Sequence, residues 1–114
     1  MLLLASTNTG KAHEFQRFLP DMQVQTPHDR GLNFAYEESG ATFLENALGK
    51  ARHLFELTGA TTVADDSGLM VTALKGAPGV HSARYGGDIT SNRRNLLLLD
   101  AMAKISDRSA HFVC

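Results

Sequence analysis

Four places in this chain carry side chains suited to phosphate chemistry. Ser6-Thr7-Asn8-Thr9-Gly10-Lys11 brings together hydroxyls, an amide, a glycine and an ammonium group. Asp65 and Asp66 stand side by side in Val63-Ala64-Asp65-Asp66-Ser67-Gly68, directly behind an apolar run. Glu37-Glu38-Ser39-Gly40 is a second acidic cluster, and Lys50 an isolated cation. Neighbouring carboxylates at a core boundary are unfavourable unless a metal ion, a basic side chain or water intervenes. Oxygen ligands of this kind suit Mg²⁺, a hard ion that keeps several waters. Such an ion neutralises phosphate oxygens and activates water, and a nearby carboxylate accepts the proton. Each feature also has a plainer reading: a solvated acidic loop, an Asx turn at Asp65–Ser67, a solvated Lys50, and a capped surface helix with Lys11 and Glu14 three apart. The five histidines have no zinc spacing.

Positioning these groups calls for alternating strands and helices. Residues 2–5 read as a strand broken by Ser6 to Gly10, and a helix follows to Leu19, where Pro20 stops it. Its apolar positions are Ala12, Phe15, Phe18 and Leu19. The strand-to-helix junction leaves free backbone amides that, with the hydroxyls and Lys11, suit an anion; the glycine spacing of a Walker loop is absent. Val24 lies in a second short strand, and Thr26 to Gly40 is polar and irregular. Thr42-Phe43-Leu44-Glu45 is a capping-box pattern opening a helix to Thr58, with Leu44, Leu48, Ala51 and Phe55 as its apolar stripe and Gly59 closing it. Asn46 and Lys50 share one face four residues apart. Thr61 to Ala64 is a strand, Leu69 to Thr72 its continuation or partner, Gly76 to Gly79 a turn, and Thr90 to about Lys104 a third helix. Ala110 to Cys114 reads as the start of another strand. The alternation predicts an α/β sheet protein.

The 114 residues suffice for one domain with a modest core. Eleven basic and twelve acidic side chains give a net charge of -1, which argues against a surface built for long nucleic acid but leaves a small phosphorylated ligand open. The single cysteine, Cys114, offers no internal disulfide framework. No apolar run approaches a membrane span, and the opening Met1-Leu2-Leu3-Leu4-Ala5 lacks the basic leader and length of a secretory signal. The expectation is a cytoplasmic protein with no membrane partner.

The chain resembles the purine nucleoside-triphosphate pyrophosphatases that act on non-standard bases, the inosine/xanthosine triphosphatase or Ham1-like family. The resemblance rests on Asn8 with Lys11 and Glu14, on Thr42-Phe43-Leu44-Glu45-Asn46-Ala47 with Lys50-Ala51, and on the long run from Ala64-Asp65-Asp66-Ser67-Gly68-Leu69 through Gly76-Ala77-Pro78-Gly79-Val80-His81-Ser82-Ala83-Arg84-Tyr85. These ordered blocks span essentially the whole chain and are specific in combination.

The resemblance implies an elongated mixed α/β fold, a homodimer when intact, and hydrolysis of ITP, dITP and XTP to the nucleoside monophosphate and pyrophosphate. It implies Mg²⁺ as cofactor, held by Glu38 and Asp66. Asp66 would activate water, Lys50 would contact phosphate and take part in catalysis, and Asp65 would support. Ser6, Thr7, Asn8, Thr9, Gly10 and Lys11 would form the triphosphate loop, with Ser67 and Arg84 as further substrate contacts. The family's later Phe-Gly-Tyr-Asp and Ser-His-Arg segments, which help hold base and phosphates, do not occur here. The expectation is therefore an incomplete domain over residues 1–114, cut before the remaining sheet and second-lobe elements. The alternative function is a catalytically incompetent nucleotide- or phosphate-binding fragment. A third reading is a purely structural α/β domain.

Overall fold

The computed structural model describes residues 1–114, which divide into two compact units, Met1–Asp66 and Ser67–Cys114. In the first, β1 (Leu2–Leu4) lies between β2 (Val24–Gln25) and β3 (Thr62–Val63) in a parallel sheet. Leu2 is opposite Val24, while Leu3 and Leu4 are opposite Thr62 and Val63. A central parallel strand is covered on both faces, which explains the uninterrupted Leu2-Leu3-Leu4-Ala5 run; Leu3, Leu4 and Ala5 are fully buried. Parallel neighbours need crossovers. These contain α1 (Thr9–Phe18) and α2 (Phe43–Thr58). Phe34 and Leu54 complete the core with Leu3 and Ala5, and Tyr36, Ala60 and Ala64 pack against it.

The expected capping box is present at α2. Thr42 Oγ1 accepts from the Glu45 amide at 3.1 Å, and the Glu45 carboxylate accepts from the Ala41 amide at 2.8 Å. Gly59 closes the helix at φ 65°. Of the expected apolar stripe only Ala51 is even half-buried. Leu44, Leu48 and Phe55 are exposed, and the buried line is Asn46, Lys50 and Leu54. Residues four apart share a face, so this line turns one amide and one ammonium inward together with a leucine. In α1, likewise, Phe18 is 82% exposed, and Ala12, Phe15 and Leu19 are half-buried.

Gly49 lets Tyr36 lie against α2. A Cβ at position 49 would collide with the Tyr36 hydroxyl and come within 2.6 Å of its Cζ. Gly49→Ala should therefore lower stability by about 1 to 3 kcal/mol, the range for overpacking, despite alanine's better helix propensity. Thermal denaturation checks this, and adding Tyr36→Phe should recover part of the loss.

In the second unit, β4 (Gly68–Val71) pairs antiparallel with β5 (Ala110–Val113), Gly68 opposite Val113 and Val71 opposite Ala110. β4 thus belongs to a sheet separate from that of β3. Ser82 Oγ accepts from the Leu69 amide at 2.9 Å and donates to the Gly79 carbonyl at 2.6 Å, tying β4 to the turn expected at Gly76–Gly79. Thr90 caps α3 (Ser91–Ala101), which ends before the expected Lys104. The Arg94 guanidinium donates to the carbonyls of Tyr85, Gly87 and Ile89. Leu96, Leu97 and Leu99 are exposed, whereas Met102 and Val71 are buried.

Candidate active site

β1 delivers the chain into the loop Ser6–Lys11. The Asn8 amide donates to Ser6 Oγ at 3.0 Å. Asn8 Oδ1 in turn accepts from the amides of Gly10 at 2.9 Å and Lys11 at 3.3 Å, the standard role of an Asn N-cap. The expectation of outward, free amides is therefore not met at Asn8, Gly10 and Lys11, which are bonded within the loop. The first turn of α1 holds no acidic residue, so the positive end of its dipole is uncompensated by local side chains.

The paired aspartates take separate partners. Lys11 Nζ is 2.7 Å from Asp65 Oδ2, with side chains 25% and 13% exposed. Lys11 is thus matched to Asp65 and not, as its spacing suggested, to Glu14. Asp66 is buried, and its Oδ2 accepts from Asn46 Nδ2 at 3.1 Å. A basic side chain at one acid and an amide at the other resolve the repulsion expected of neighbouring carboxylates.

Glu38 is held by the second lysine. Lys50 Nζ lies 3.3 Å from Glu38 Oε1. Lys50 is buried at the middle of α2's inward line, and its side chain is 10% exposed. A cavity of about 330 Å³ opens here, lined by Ser6, Thr7, Tyr36, Glu38 and Lys50 among others. The first loop, the acidic loop and α2 therefore meet at one place. Ser6 and Thr7 also wall a larger cavity of about 520 Å³, bordered by His13, Gln16, Asp29 and Phe34 and containing neither lysine.

Asp29 accepts from the Thr26 amide and hydroxyl, both at 2.8 Å, and these bonds hold its carboxyl below the usual value of 3.8. A carboxyl depressed in the folded state contributes stability that is full above its unfolded value and lost as pH falls through the folded one. Asp29→Asn should flatten that acid-side part of the melting-temperature curve, which thermal melts across pH would reveal.

Ser67 and Arg84 lie in the second unit. Ser67 is half-buried; Arg84 is exposed, with Nη2 3.2 Å from His81 Nδ1. The other expected residues, Ser6 to Lys11, Glu38, Lys50, Asp65 and Asp66, lie in the first unit. Sequence reasoning gave Asn46 no role, although its buried side chain binds Asp66. The available signal was its spacing of four from Lys50.

No three acidic, histidine or cysteine side chains cluster closely enough to hold a metal ion by themselves. Glu38, Asp65 and Asp66 carry carboxylate oxygens, the hard donor type that Mg²⁺ takes together with waters and substrate phosphates, a chemistry unlike that of a structural zinc site.

The family model described as the Ham1 family matches residues 2–114. A dITP/XTP pyrophosphatase of Treponema denticola is 44% identical over 117 residues, covering 99% of this chain and 60% of that protein. One from Photorhabdus laumondii is 45% identical over 118 residues, covering 99% and 59%. The chain thus spans about 60% of the length of these curated relatives. The solved structure of a HAM1 protein from Coxiella burnetii superposes with a TM-score of 0.85 at 43% identity, over 97% of this chain and 58% of that one. The Staphylococcus aureus Ham1 protein gives 0.84 at 40% identity, over 97% and 58%. With the family model matching nearly the whole chain and relatives and solved structures agreeing at 40% identity or more, the chain belongs to the Ham1 family.

Proposed function

We propose that this protein hydrolyses non-standard purine nucleoside triphosphates, ITP, dITP and XTP, to the nucleoside monophosphate and pyrophosphate, with Mg²⁺ as cofactor. The observation that carries this reading is the pairing of Lys50 with Glu38 beside Ser6 and Thr7, with buried Asp66 on the same unit. The names of the relatives, dITP/XTP pyrophosphatases, supply the substrate class.

Each group has a distinct role in this reading. Ser6, Thr7, Asn8, Thr9, Gly10 and Lys11 are assigned as the triphosphate loop, with Asn8 Oδ1 holding the Gly10 and Lys11 amides and so fixing the loop's shape. Lys50 contributes a compact positive charge to phosphate oxygens and to the charge that develops on them. Glu38 and Asp66 would hold Mg²⁺, which when bound supplies charge neutralisation at phosphate and acidifies water. Asp66 accepts the proton of the attacking water, and the bond between the phosphorus attacked and the oxygen bridging the α and β phosphates breaks. Asp65 keeps Lys11 oriented. Ser67 and Arg84 are assigned as further substrate contacts. The protein is assigned to the cytoplasm and to a homodimer; no helix is long and apolar enough to cross a membrane.

Lys50 begins paired with Glu38, and Lys11 with Asp65. A phosphate that shares the Lys50 ammonium weakens its hold on Glu38 and makes that carboxylate more favourable to a cation, while Asp65 keeps Lys11 in place. The triphosphate and Mg²⁺ should therefore bind cooperatively.

Base preference tests the substrate assignment. A 6-oxopurine is separated from adenine by donors aimed at the oxo group, because the wrong base leaves a buried donor without an acceptor. Steady-state kinetics on an intact protein containing this region should give kcat/KM for ITP at least about 100-fold above that for ATP. Equal values would remove the substrate assignment, and nucleotide binding without turnover would favour a binding protein.

A further inference from the structure

We propose that Asn46 is a positioning residue that locks Asp66 to the acidic loop through its two-sided amide. This inference rests on the pyrophosphatase reading of the site. Asn46 is 1% exposed, the most buried polar side chain of the unit's buried trio with Lys50 and Asp66. Its Nδ2 donates to Asp66 Oδ2 at 3.1 Å, and its Oδ1 accepts from the Gly40 amide at 2.7 Å. One rigid group thus joins the chain at Asp66 to the backbone two residues after Glu38.

The surroundings are built for this contact. A Cβ at Gly40 would come 2.6 Å from Asn46 Oδ1 and 3.1 Å from the Asn46 amide nitrogen, so only glycine lets the loop approach this closely. Glu45 fixes the same approach by accepting from the Ala41 amide at 2.8 Å. Asn46 begins the inward line of α2 that continues with Lys50, the partner of Glu38. α2 therefore controls both acids from one face, Asp66 through Asn46 and Glu38 through Lys50. Asparagine suits this position because it offers a donor to the carboxylate and an acceptor to the amide at once. Aspartate would accept from Gly40 but repel Asp66; leucine, of similar size, would satisfy neither. Buried polar groups left without partners relax toward water, and the acids would lose their fixed separation.

The test combines amide exchange with metal titration on the 114-residue chain. In a metal-free chain, Asn46→Leu should speed exchange of the Gly40 amide by at least about tenfold while the strand amides stay protected. Asp66→Ala should also speed Gly40 exchange where Asn46 is present, and add nothing in the Asn46→Leu background. Mn²⁺ alone, followed by its paramagnetic resonance, should bind N46L at least about tenfold more weakly than the unaltered chain, without a matching change in the cooperativity of melting.

Unchanged Gly40 exchange in N46L, equal D66A effects in both backgrounds, or unaltered Mn²⁺ affinity in folded N46L would each overturn the proposal. Should N46L fail to fold, Asn46→Asp carries the same cycle. It keeps an acceptor for Gly40 but offers Asp66 no donor and repels it, so D66A should slow Gly40 exchange or leave it unchanged there, and an acceleration like that in the unaltered chain overturns the proposal. Failure of the unaltered chain to bind Mn²⁺ would instead count against the metal-dependent reading of the site, while the exchange cycle still decides whether Asn46 links Asp66 to Gly40.

Discussion

In an intact protein containing this segment, Asp66→Asn should fold like the unaltered protein and lose at least about 100-fold in kcat for pyrophosphate release at saturating Mg²⁺, the lower bound usual for removing a general base. The folding half of this expectation follows from the hydrogen bond at Asp66. An asparagine there still presents a carbonyl oxygen to Asn46 Nδ2, so the 3.1 Å contact survives in a burial-compatible neutral form. What is lost is negative charge and proton-accepting capacity. Asp65→Asn should be milder. Its partner Lys11 is 25% exposed, so water can replace part of the lost attraction. The ordering D66N well below D65N, with matching circular dichroism, distinguishes a reacting acid from a supporting one. Near-normal kcat in folded D66N would remove Asp66 from the chemistry.

Lys50→Met should weaken triphosphate binding by about 10- to 100-fold, the equivalent of one charge-assisted hydrogen bond. Methionine retains an unbranched stem in the buried line of α2, so packing against the sheet is largely kept. Stability should nonetheless fall. Lys50 is 8% exposed, and its removal takes the ammonium from Glu38, whose side chain is 26% exposed. Complete burial would make such a loss about 3 to 5 kcal/mol; partial access of water to Glu38 reduces it to about 1 to 2 kcal/mol. The double change Glu38→Gln with Lys50→Met should recover stability without recovering affinity. Calorimetric titration with inorganic triphosphate and Mg²⁺, alongside thermal melts, separates the two effects. Unaltered affinity in K50M would make the lysine purely structural.

Much of the fold is legible in the residues themselves. The run Leu2–Ala5, the Pro20 stop, the Thr42–Glu45 capping box and Gly59 each declare a boundary through local chemistry, and each stands where expected. The inward face of α2 was not legible. Its apolar periodicity selects Leu44, Leu48 and Phe55, but the positions buried are Asn46, Lys50 and Leu54. Periodicity assumes that apolar residues mark the core, and that assumption fails where a site requires buried polar groups. Lys11 misled for a related reason. Glu14 is near it in sequence, whereas Asp65 becomes its partner only once β3 lies beside β1. Likewise, the hydroxyls and glycine of Ser6–Lys11 suggested open amides, while Asn8 was already placed to cap them. Long-range pairing also decided that β4 meets β5 and does not extend the first sheet. Candidate acids and lysines could thus be chosen by type, but their partners are products of the fold.

Identification of the phosphorus-containing products tests the central claim most directly. Phosphorus NMR should be recorded on the protein incubated with dITP and Mg²⁺, with D66N as control. Pyrophosphate and the nucleoside monophosphate should appear in equal amounts, with no orthophosphate, and both should be nearly absent for D66N. Orthophosphate with the nucleoside diphosphate, or bound dITP that remains intact, would contradict hydrolysis between the α and β phosphates.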